Sequence, residues 1–148
     1  PTTSLRYFTV YGPRQRPDMA IHRLIEAARN QTVFPLFGDG EQIRDFTFVS
    51  DVVEANLCAA VSDTTNGCVT NIAGGSSTRL IDLVALVESL VGAPVPIEWL
   101  PAQPGDVART GGSIELAADL LGWSPRVGLV DGVAAQIEWH RDAIRTVG

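Results

Sequence analysis

Apolar and polar positions follow two periodicities along this chain, and segments of the two kinds alternate. Apolar residues spaced three and four positions apart predict amphipathic helices, whereas short runs of β-branched and aromatic residues predict strands. Because helices and strands alternate, the pattern indicates an α/β fold. The predicted helices cover residues 18–30, 50–61, 78–91, 113–122 and 129–145, and the predicted strands cover residues 5–11, 33–37, 44–49, 68–73 and 95–100.

Residues at the segment boundaries support these assignments. Asp18, Thr78 and Ser113 stand where helix N-caps are expected, because their side-chain oxygens can accept the unpaired N–H groups of a first turn. Gly92 and Gly122 stand where two helices are expected to end.

The pattern also predicts which apolar side chains are buried in the core. Phe46 and Phe48 alternate with polar residues, which predicts a strand buried on one face. The helix over residues 50–61 carries an apolar stripe, and the tryptophans are expected to be core residues. The stripe consists of Val53, Leu57 and Val61, and the tryptophans are Trp99, Trp123 and Trp139.

The stretch from Leu5 to Met19 is the part around which the rest is expected to be arranged. A strand over residues 5–11 ends at Gly12-Pro13, crosses a polar turn with two arginines, and restarts as a helix. In an open α/β sheet, the carboxyl end of a strand is where ligands bind. A strand this apolar needs neighbours on both sides, so we interpret the chain as the C-terminal portion of a larger protein.

Composition and charge exclude several classes of function. The chain has 148 residues, a net charge of -6 and no lysine, since all 11 basic residues are arginine. The acidic balance argues against a nucleic-acid partner. The lack of lysine excludes a Schiff base, a P-loop lysine and a Tyr-x-x-x-Lys pair within this chain. No apolar run approaches the ~18 residues that a membrane span requires, and no signal peptide opens the chain, so we expect a cytoplasmic protein without a membrane partner.

Motifs for metal binding and for catalysis are missing from the sequence. The turn Gly38-Asp39-Gly40 does not open a G-x-G-x-x-G motif, and there is no Walker loop and no His-x-x-x-His pair. Cys58 and Cys68 are not spaced as zinc ligands. We therefore predict no metal site and no catalytic residue in this chain, which resembles a binding portion.

Arg44 is the most informative single residue. It follows a glycine turn and begins a strand, where a guanidinium group can bind a phosphate through two parallel hydrogen bonds. The alternative is an Arg44–Asp45 surface ion pair of little energetic value. The residue types alone leave both interpretations open.

Four further polar residues also have two interpretations each. Arg14 and Arg16 either bind an anion beside the sheet or are solvated loop residues, and chemistry alone favours solvation. Asp106 either accepts a hydrogen bond from a sugar hydroxyl or forms a turn. Asn71, inside an apolar strand, must satisfy its amide with a neighbouring loop or with a ligand.

Five motifs in a fixed order carry a resemblance that covers essentially the whole chain. They resemble the C-terminal half of the NAD-dependent nucleotide-sugar epimerase/dehydratase family, the extended short-chain dehydrogenases. The motifs are LRYFTVYGP at Leu5–Pro13, FGDGEQIRDF at Phe37–Phe46, NIAGG at Asn71–Gly75, PGD at Pro104–Asp106 and LGWSP at Leu121–Pro125.

The resemblance implies a division of labour between two halves. An N-terminal Rossmann domain, absent from this chain, would bind NAD and supply the Tyr-x-x-x-Lys pair. Residues 1–148 would be the substrate-binding C-terminal portion, with residues 1–13 as the last Rossmann-side strand and turn and the rest as a small α/β domain. The implied partners are the N-terminal half, a UDP-sugar and a second copy in a homodimer.

The resemblance also implies roles for individual residues. Tyr7 would lie against the nicotinamide side of the cleft, Arg44 would bind the diphosphate, and Asp106 would bind the ribose or a nearby hydroxyl. The implied contacts to the sugar are Tyr7, Phe8 and Thr9, those to the nucleotide base are Met19, Pro35, Leu36 and Phe37, and Asn71 is a weaker candidate for the nucleotide pocket.

The stretch from Phe8 to Met19 is most similar to the UDP-glucuronate 4-epimerases, in which the threonine and arginine at Thr9 and Arg16 contact the sugar carboxylate. Galactose-type epimerases usually have Asn at Thr9 and Arg at Gln103. The resemblance therefore implies NAD-dependent C4 epimerisation of UDP-glucuronate to UDP-galacturonate through a 4-keto intermediate. The alternatives are another nucleotide-sugar epimerase, a 4,6-dehydratase, a UDP-glucuronate decarboxylase, or a non-enzymatic sugar-nucleotide-binding module.

Overall fold

The computed structural model describes residues 2–63 and 67–145, with side chains described up to residue 142. Helices and strands alternate, which confirms the predicted α/β fold. The elements are β1 (Ser4–Tyr7), β2 (Thr9–Tyr11), α1 (Ala20–Asn30), β3 (Phe34–Phe37), β4 (Ile43–Phe48), α2 (Val49–Val61), β5 (Val69–Ile72), β6 (Ser77–Arg79), α3 (Leu80–Val91), β7 (Ile97–Leu100), α4 (Glu115–Leu121) and α5 (Leu129–Arg145).

The opening strand is divided between two sheets. β1 pairs in parallel with β5, in a register that sets Leu5 opposite Thr70, whereas β2 pairs in parallel with β4. Phe8 lies between the two strands and marks the change of partner. The prediction of one continuous strand was wrong because a change of partner leaves the local residue pattern unaltered.

β4 lies between β2 and β6 and is covered on both faces. Its consecutive residues Asp45, Phe46 and Thr47 are all buried, so the prediction of a strand buried on one face was wrong. The sequence pattern also missed β6, which pairs antiparallel with β4 and sets Thr78 opposite Arg44. Thr78 is therefore a strand residue and does not cap the helix that follows.

Two hydrophobic clusters hold the elements together. The larger one joins α1, α3 and α5 to β2, β3 and β4, and its buried members include Leu24, Leu36 and Val87. The smaller one joins α2 and α4 to β5 around the buried Trp123. Trp99 is 55% exposed on β7, so its predicted core position was wrong.

The predicted helix ends were right more often than the predicted caps. Gly92 and Gly122 take left-handed backbone conformations and end α3 and α4, which confirms both stop signals. Ser113 accepts a hydrogen bond from the backbone N–H of Glu115 at the start of α4. Asp18 does not cap α1, because its carboxylate pairs with Arg16 instead.

One face of α2 is apolar and exposed. Val53, Leu57 and Val61 are 54%, 63% and 81% exposed, although their stripe pattern is typical of a buried face. The opposite side of α2 packs into the smaller cluster through Val52 and Ala55. The stripe does not mark a membrane-spanning helix, since no helix in the described part of the chain is long and apolar enough to cross a bilayer.

Candidate functional site

A cleft of about 410 Å³ opens between the start of α1, strand β3 and the irregular segment of residues 101–112. Four of the predicted nucleotide-site residues line it, namely Pro35, Phe37, Arg44 and Asp106. Because these residues come from three separate parts of the chain, the fold is what brings them together. The other lining residues include Arg23, Gln42, Leu80 and Gln103.

Arg44 joins β4 to the segment at the rim of the cleft. Its Nη1 donates to the carbonyl oxygens of Val107, at 2.8 Å, and Ile43, at 2.9 Å, and its Nη2 donates to the Asp106 carboxylate. A guanidinium has five N–H groups. These contacts leave the Nε–H and one Nη2–H of Arg44 for a ligand, in the same plane as the bonds that hold the segment.

The backbone of residues 108–110 fixes the same segment alongside β4. The N–H of Ile43 donates to the carbonyl of Ala108 at 2.8 Å, and the N–H of Thr110 donates to the carbonyl of Ile43 at 3.0 Å. Asp106 is therefore held next to Arg44 by main-chain pairing as well as by charge. This pairing explains how two residues 62 positions apart meet at one site.

The alternative Arg44–Asp45 pair does not form. The Asp45 carboxylate lies on the opposite side of β4, where it is buried and accepts a hydrogen bond from the N–H of Gly74 at 2.6 Å. Burial raises the pKa of Asp45, and backbone hydrogen bonds from Gly74 and Gly75 partly oppose that rise. Asp45 thus ties β4 to the loop after β5, and its neighbour Arg44 faces the cleft.

Two cleft residues were missed by the sequence reasoning. The guanidinium of Arg23 lies 5.4 Å from the centre of the Phe34 ring, a cation–π distance, and Gln42 donates to the carbonyl of Phe37 at 2.7 Å. Arg23 sits in the first turn of α1, where a cation opposes the helix dipole. That unfavourable placement is the signal by which it could have been noticed.

A second cavity of about 450 Å³ lies under the loop that follows β2. Tyr7, Phe8, Arg16 and Met19 line it, so four residues predicted for the sugar and base are brought together there. The Arg16 side chain is 74% exposed and pairs with Asp18 at 3.0 Å. Thr9 is half-buried in β2 and is not among the residues that line this cavity.

Three residues predicted to contact the nucleotide lie outside the cleft that contains Pro35 and Phe37. Leu36 is fully buried in the larger cluster, so its side chain cannot border a nucleotide base. Met19 lines the second cavity and not the cleft that contains Pro35 and Phe37. The Asn71 amide donates to the carbonyl of Ser113 at 3.2 Å and lines neither cavity, which favours the neighbouring loop as its partner.

No cluster of three or more His, Cys, Asp or Glu side chains that could hold a metal ion occurs within residues 2–63 and 67–142. Tyr7, the residue expected to face NAD, donates from its hydroxyl to the Asn56 side chain at 2.9 Å and is 43% exposed. The chain has neither a glycine-rich phosphate turn nor a lysine.

Comparison with known proteins finds one family model and many relatives that resemble this chain. The family model described as the NAD dependent epimerase/dehydratase family matches residues 1–73. A probable UDP-glucuronate 4-epimerase of Rhizobium meliloti is 39% identical over 95% of this chain and 46% of its own length. Nearly the whole chain therefore resembles members of the NAD dependent epimerase/dehydratase family. It spans about half the length of the curated relatives that it matches.

Solved structures of similar proteins have the same fold. MoeE5 in complex with UDP-glucuronic acid and NAD superposes with a TM-score of 0.91 at 43% identity, over 95% of this chain and 47% of that one. The UDP-glucuronic acid 4-epimerase of Bacillus cereus, in complex with UDP-glucuronic acid and NAD, superposes with a TM-score of 0.89 at 38% identity, over 94% and 45%. The α/β fold of the extended short-chain dehydrogenases is thereby confirmed for this chain.

Proposed function

We propose that this chain is the substrate-binding C-terminal half of an NAD-dependent epimerase that interconverts UDP-glucuronate and UDP-galacturonate. The observation that carries the proposal is the cleft in which Arg44 presents two unused N–H groups beside Asp106, in a chain whose relatives include UDP-glucuronate 4-epimerases. In this assignment the nucleotide diphosphate occupies the 410 Å³ cleft and the sugar extends toward the second cavity.

The chemistry of the cleft suits a nucleotide diphosphate. The planar fork of Arg44 can donate in parallel to phosphate oxygens while it keeps its bonds to the rim segment. The Asp106 carboxylate is a hydrogen-bond acceptor for a ribose hydroxyl. Pro35 and Phe37 supply apolar surface for the base, and Arg23 adds a second cation at the mouth.

The second cavity suits the acidic end of the sugar. Oxidation of a glucuronate at C4 produces a β-keto acid, which loses CO₂ when its carboxylate turns perpendicular to the carbonyl plane. We assign Arg16, which lines this cavity, to bind this carboxylate, so that the group is held in an unreactive orientation. Arg16 already pairs with the carboxylate of Asp18, and the carboxylate of the substrate would take the place of Asp18 as the partner of Arg16.

The remaining chemistry belongs to the other half of the protein. Hydride removal from C4 and hydride return to the opposite face are the chemistry that NAD supplies in this family. The Tyr-x-x-x-Lys pair would take the proton of the C4 hydroxyl. The residues of this chain would hold the nucleotide and let the 4-keto sugar turn over between the two transfers. The cytoplasm is the proposed compartment, and a homodimer is the proposed assembly.

The exposed apolar face of the chain supports a two-half protein. Each of five apolar or aromatic side chains is more than two-fifths exposed, namely Val53, Leu57 and Val61 on α2 and Tyr7 and Val69 of the β1–β5 sheet. The hydrogen bond from Tyr7 to Asn56 of α2 joins this sheet to that helix. Exposed apolar side chains in such number are typical of an interface. We assign this face to contact with the NAD-binding half, with residues 1–13 as the last strand and turn on that side.

Substitution of Val53 tests this interface. We expect Val53→Asp to weaken association of this chain with a separately expressed NAD-binding half by at least about tenfold, because a carboxylate would be buried without a partner. Val130→Asp is the matched control, since Val130 is also 54% exposed but lies on α5. Isothermal titration calorimetry measures the dissociation constant of each variant for the NAD-binding half. Equal losses for the two variants would contradict the assignment.

The reaction itself is tested by the product that the full-length protein forms from UDP-glucuronate. We expect UDP-galacturonate from the wild type and, from Arg16→Ala, a larger share of decarboxylated UDP-pentose with a selective loss of kcat/KM for UDP-glucuronate over UDP-glucose. The loss is expected to be about tenfold or more, the value of one charged hydrogen bond. Anion-exchange chromatography with mass spectrometry separates the products.

The outcomes distinguish the alternatives. Net pentose from the wild type would identify a decarboxylase, and a 4-keto-6-deoxy sugar would identify a dehydratase. Equal losses for the two nucleotide sugars in Arg16→Ala would remove Arg16 from the carboxylate site. Tight binding of UDP-glucuronate to this chain alone would favour a binding module, whereas the proposal expects weak binding without the other half.

A further inference from the structure

Gln136, in the middle of α5, is fully buried at a position flanked by the core residues Val133 and Ile137. A buried amide is costly unless its donors and acceptor are paired. Gln136 is paired with the loop after β2: its Oε1 accepts from the N–H of Gly12 at 2.8 Å, and its Nε2 donates to the Oε1 of Gln15 at 2.9 Å. The core helix α5 thus uses a buried polar side chain to bind the loop that contains Arg14 and Arg16.

Gln15 extends the same network to both ends of the loop. Its Nε2 donates to the carbonyl of Val10 in β2 at 2.9 Å, and its Oε1 accepts from the N–H of His22, near the start of α1, at 3.0 Å. A ring N–H of His22 donates back to the carbonyl of Gln15 at 3.0 Å. The side chain of Gln15 therefore satisfies one of the unpaired N–H groups of the first turn of α1, which no cap residue does.

The backbone contacts determine the direction of every bond in this network. The carbonyl of Val10 can only accept and the N–H of His22 can only donate, so the amide of Gln15 has one allowed orientation. Gln136 must then donate to Gln15 and accept from Gly12. An apolar residue at position 136 would leave the N–H of Gly12 and the oxygen of Gln15 short of partners.

We propose that Gln136 is a positioning residue that sets the conformation of residues 12–16 and, through it, the placement of Arg16 toward the acid group of the substrate. The carboxylate role of Arg16 rests on the function proposed above, whereas the ordering of the loop by Gln136 does not. Arg14 is held in the left-handed region, at φ 66°, where a non-glycine residue is strained. Hydrogen bonds to the loop, such as those from Gln136, are therefore needed to hold this conformation. Gly12 lies against Val49 and Phe48 at the other end of the loop.

Amide hydrogen exchange in the full chain tests the ordering of the loop without reference to activity. We expect Gln136→Leu to speed exchange of residues 12–16 by about tenfold or more, the value of one or two lost hydrogen bonds, while α3 is unchanged. Gln15→Leu is expected to have the same effect, and the double variant to add little, because both changes break one network. Unchanged exchange in residues 12–16, or uniform acceleration throughout the chain, would overturn the proposal.

Kinetics of the full-length protein test the consequence for the substrate. We expect Gln136→Leu to raise the KM for UDP-glucuronate about tenfold and to leave the inhibition constant of UDP within about twofold, because the nucleotide cleft does not touch the network. Equal rises in both constants would overturn the positioning role. If the wild type does not turn over UDP-glucuronate, the proposed function fails, and the exchange measurement still decides the role of Gln136 in the loop.

A Gln136→Glu variant gives a readout that a merely structural role would not produce. A protonated carboxyl can accept from Gly12 and donate to Gln15, whereas a carboxylate cannot donate. Relative to the wild type, its KM for UDP-glucuronate should be near normal at low pH and rise as the carboxyl ionises. His22, His140 and Glu26 lie beside the network in both proteins, so the ratio of the two KM values isolates the effect of residue 136. The proposal would be overturned if the KM of Gln136→Glu, divided by that of the wild type, were as large at every pH as the same ratio for Gln136→Leu.

Discussion

Gly74→Ala is expected to lower the free energy of unfolding by about 3 kcal/mol or more, the largest stability change that the structure predicts. A Cβ on Gly74 would lie 1.9 Å from the carbonyl oxygen of Phe46 and 3.2 Å from the Cα of Thr47. Both atoms belong to the backbone of β4, so no side-chain rotation can relieve the overlap. A shift of the loop would also break the hydrogen bond of the Gly74 N–H to the buried Asp45.

The decrease in the free energy of unfolding is measured by urea denaturation of the chain, monitored by far-ultraviolet circular dichroism. Gly128→Ala is the matched control, because its new Cβ would meet its nearest neighbour, the carboxylate of Asp131, at an ordinary 3.8 Å. Neither glycine has a positive φ, so both substitutions are free of backbone strain in the left-handed region. A Gly74→Ala variant within about 1 kcal/mol of the wild type would contradict the steric argument.

Arg44→Ala is expected to cause the largest loss of nucleotide binding. A hydrogen bond to a charged group contributes about 1.5–3 kcal/mol, so the affinity for UDP should fall by about 10- to 100-fold. The variant also frees the rim segment, because Val107 and Asp106 lose the guanidinium that binds them. The loss should therefore be similar for UDP, UDP-glucose and UDP-glucuronate, unlike the selective effect expected at Arg16.

Isothermal titration of the full-length protein with UDP measures this effect. Arg126→Ala is the control, since Arg126 also pairs with a carboxylate, that of Glu54, but lies outside the cleft. Arg44→Lys keeps the charge without the planar fork and should fall between the wild type and alanine. A dissociation constant for UDP within about twofold of the wild type in Arg44→Ala would exclude Arg44 from the diphosphate site.

Local patterns predicted the helices better than they predicted the strand pairings. The apolar repeat of α3 and its stop at Gly92 were confirmed, because a helix forms its hydrogen bonds within a single segment. The prediction missed β6 and placed a cap at Thr78, since residues 77–79 become a strand only when β4 lies beside them. A strand is defined by its partner, and the partner is distant in sequence.

The same distinction applies to the candidate site. Arg44 was noticed from its place after a glycine turn, and resemblance to a family supplied its role together with that of Asp106. Their direct pairing across 62 residues could not be predicted, since it depends on the backbone pairing of residues 108–110 with β4. Nothing in the local pattern around Gln136 indicates that its amide meets Gln15, which lies 121 positions away.

The sequence by itself determined the α/β class, the resemblance to a family and most helix ends, because periodicity, glycine stops and motif order are properties of neighbouring residues. Only the tertiary structure decided that residues 4–11 serve two sheets, that the α2 stripe faces outward, and that Arg44 and Asp106 share a rim. Those features depend on the order of strands within the sheets and on which surfaces remain uncovered. Both are set by contacts between residues far apart in the chain. The free energies of such contacts cannot be inferred from any short stretch of sequence.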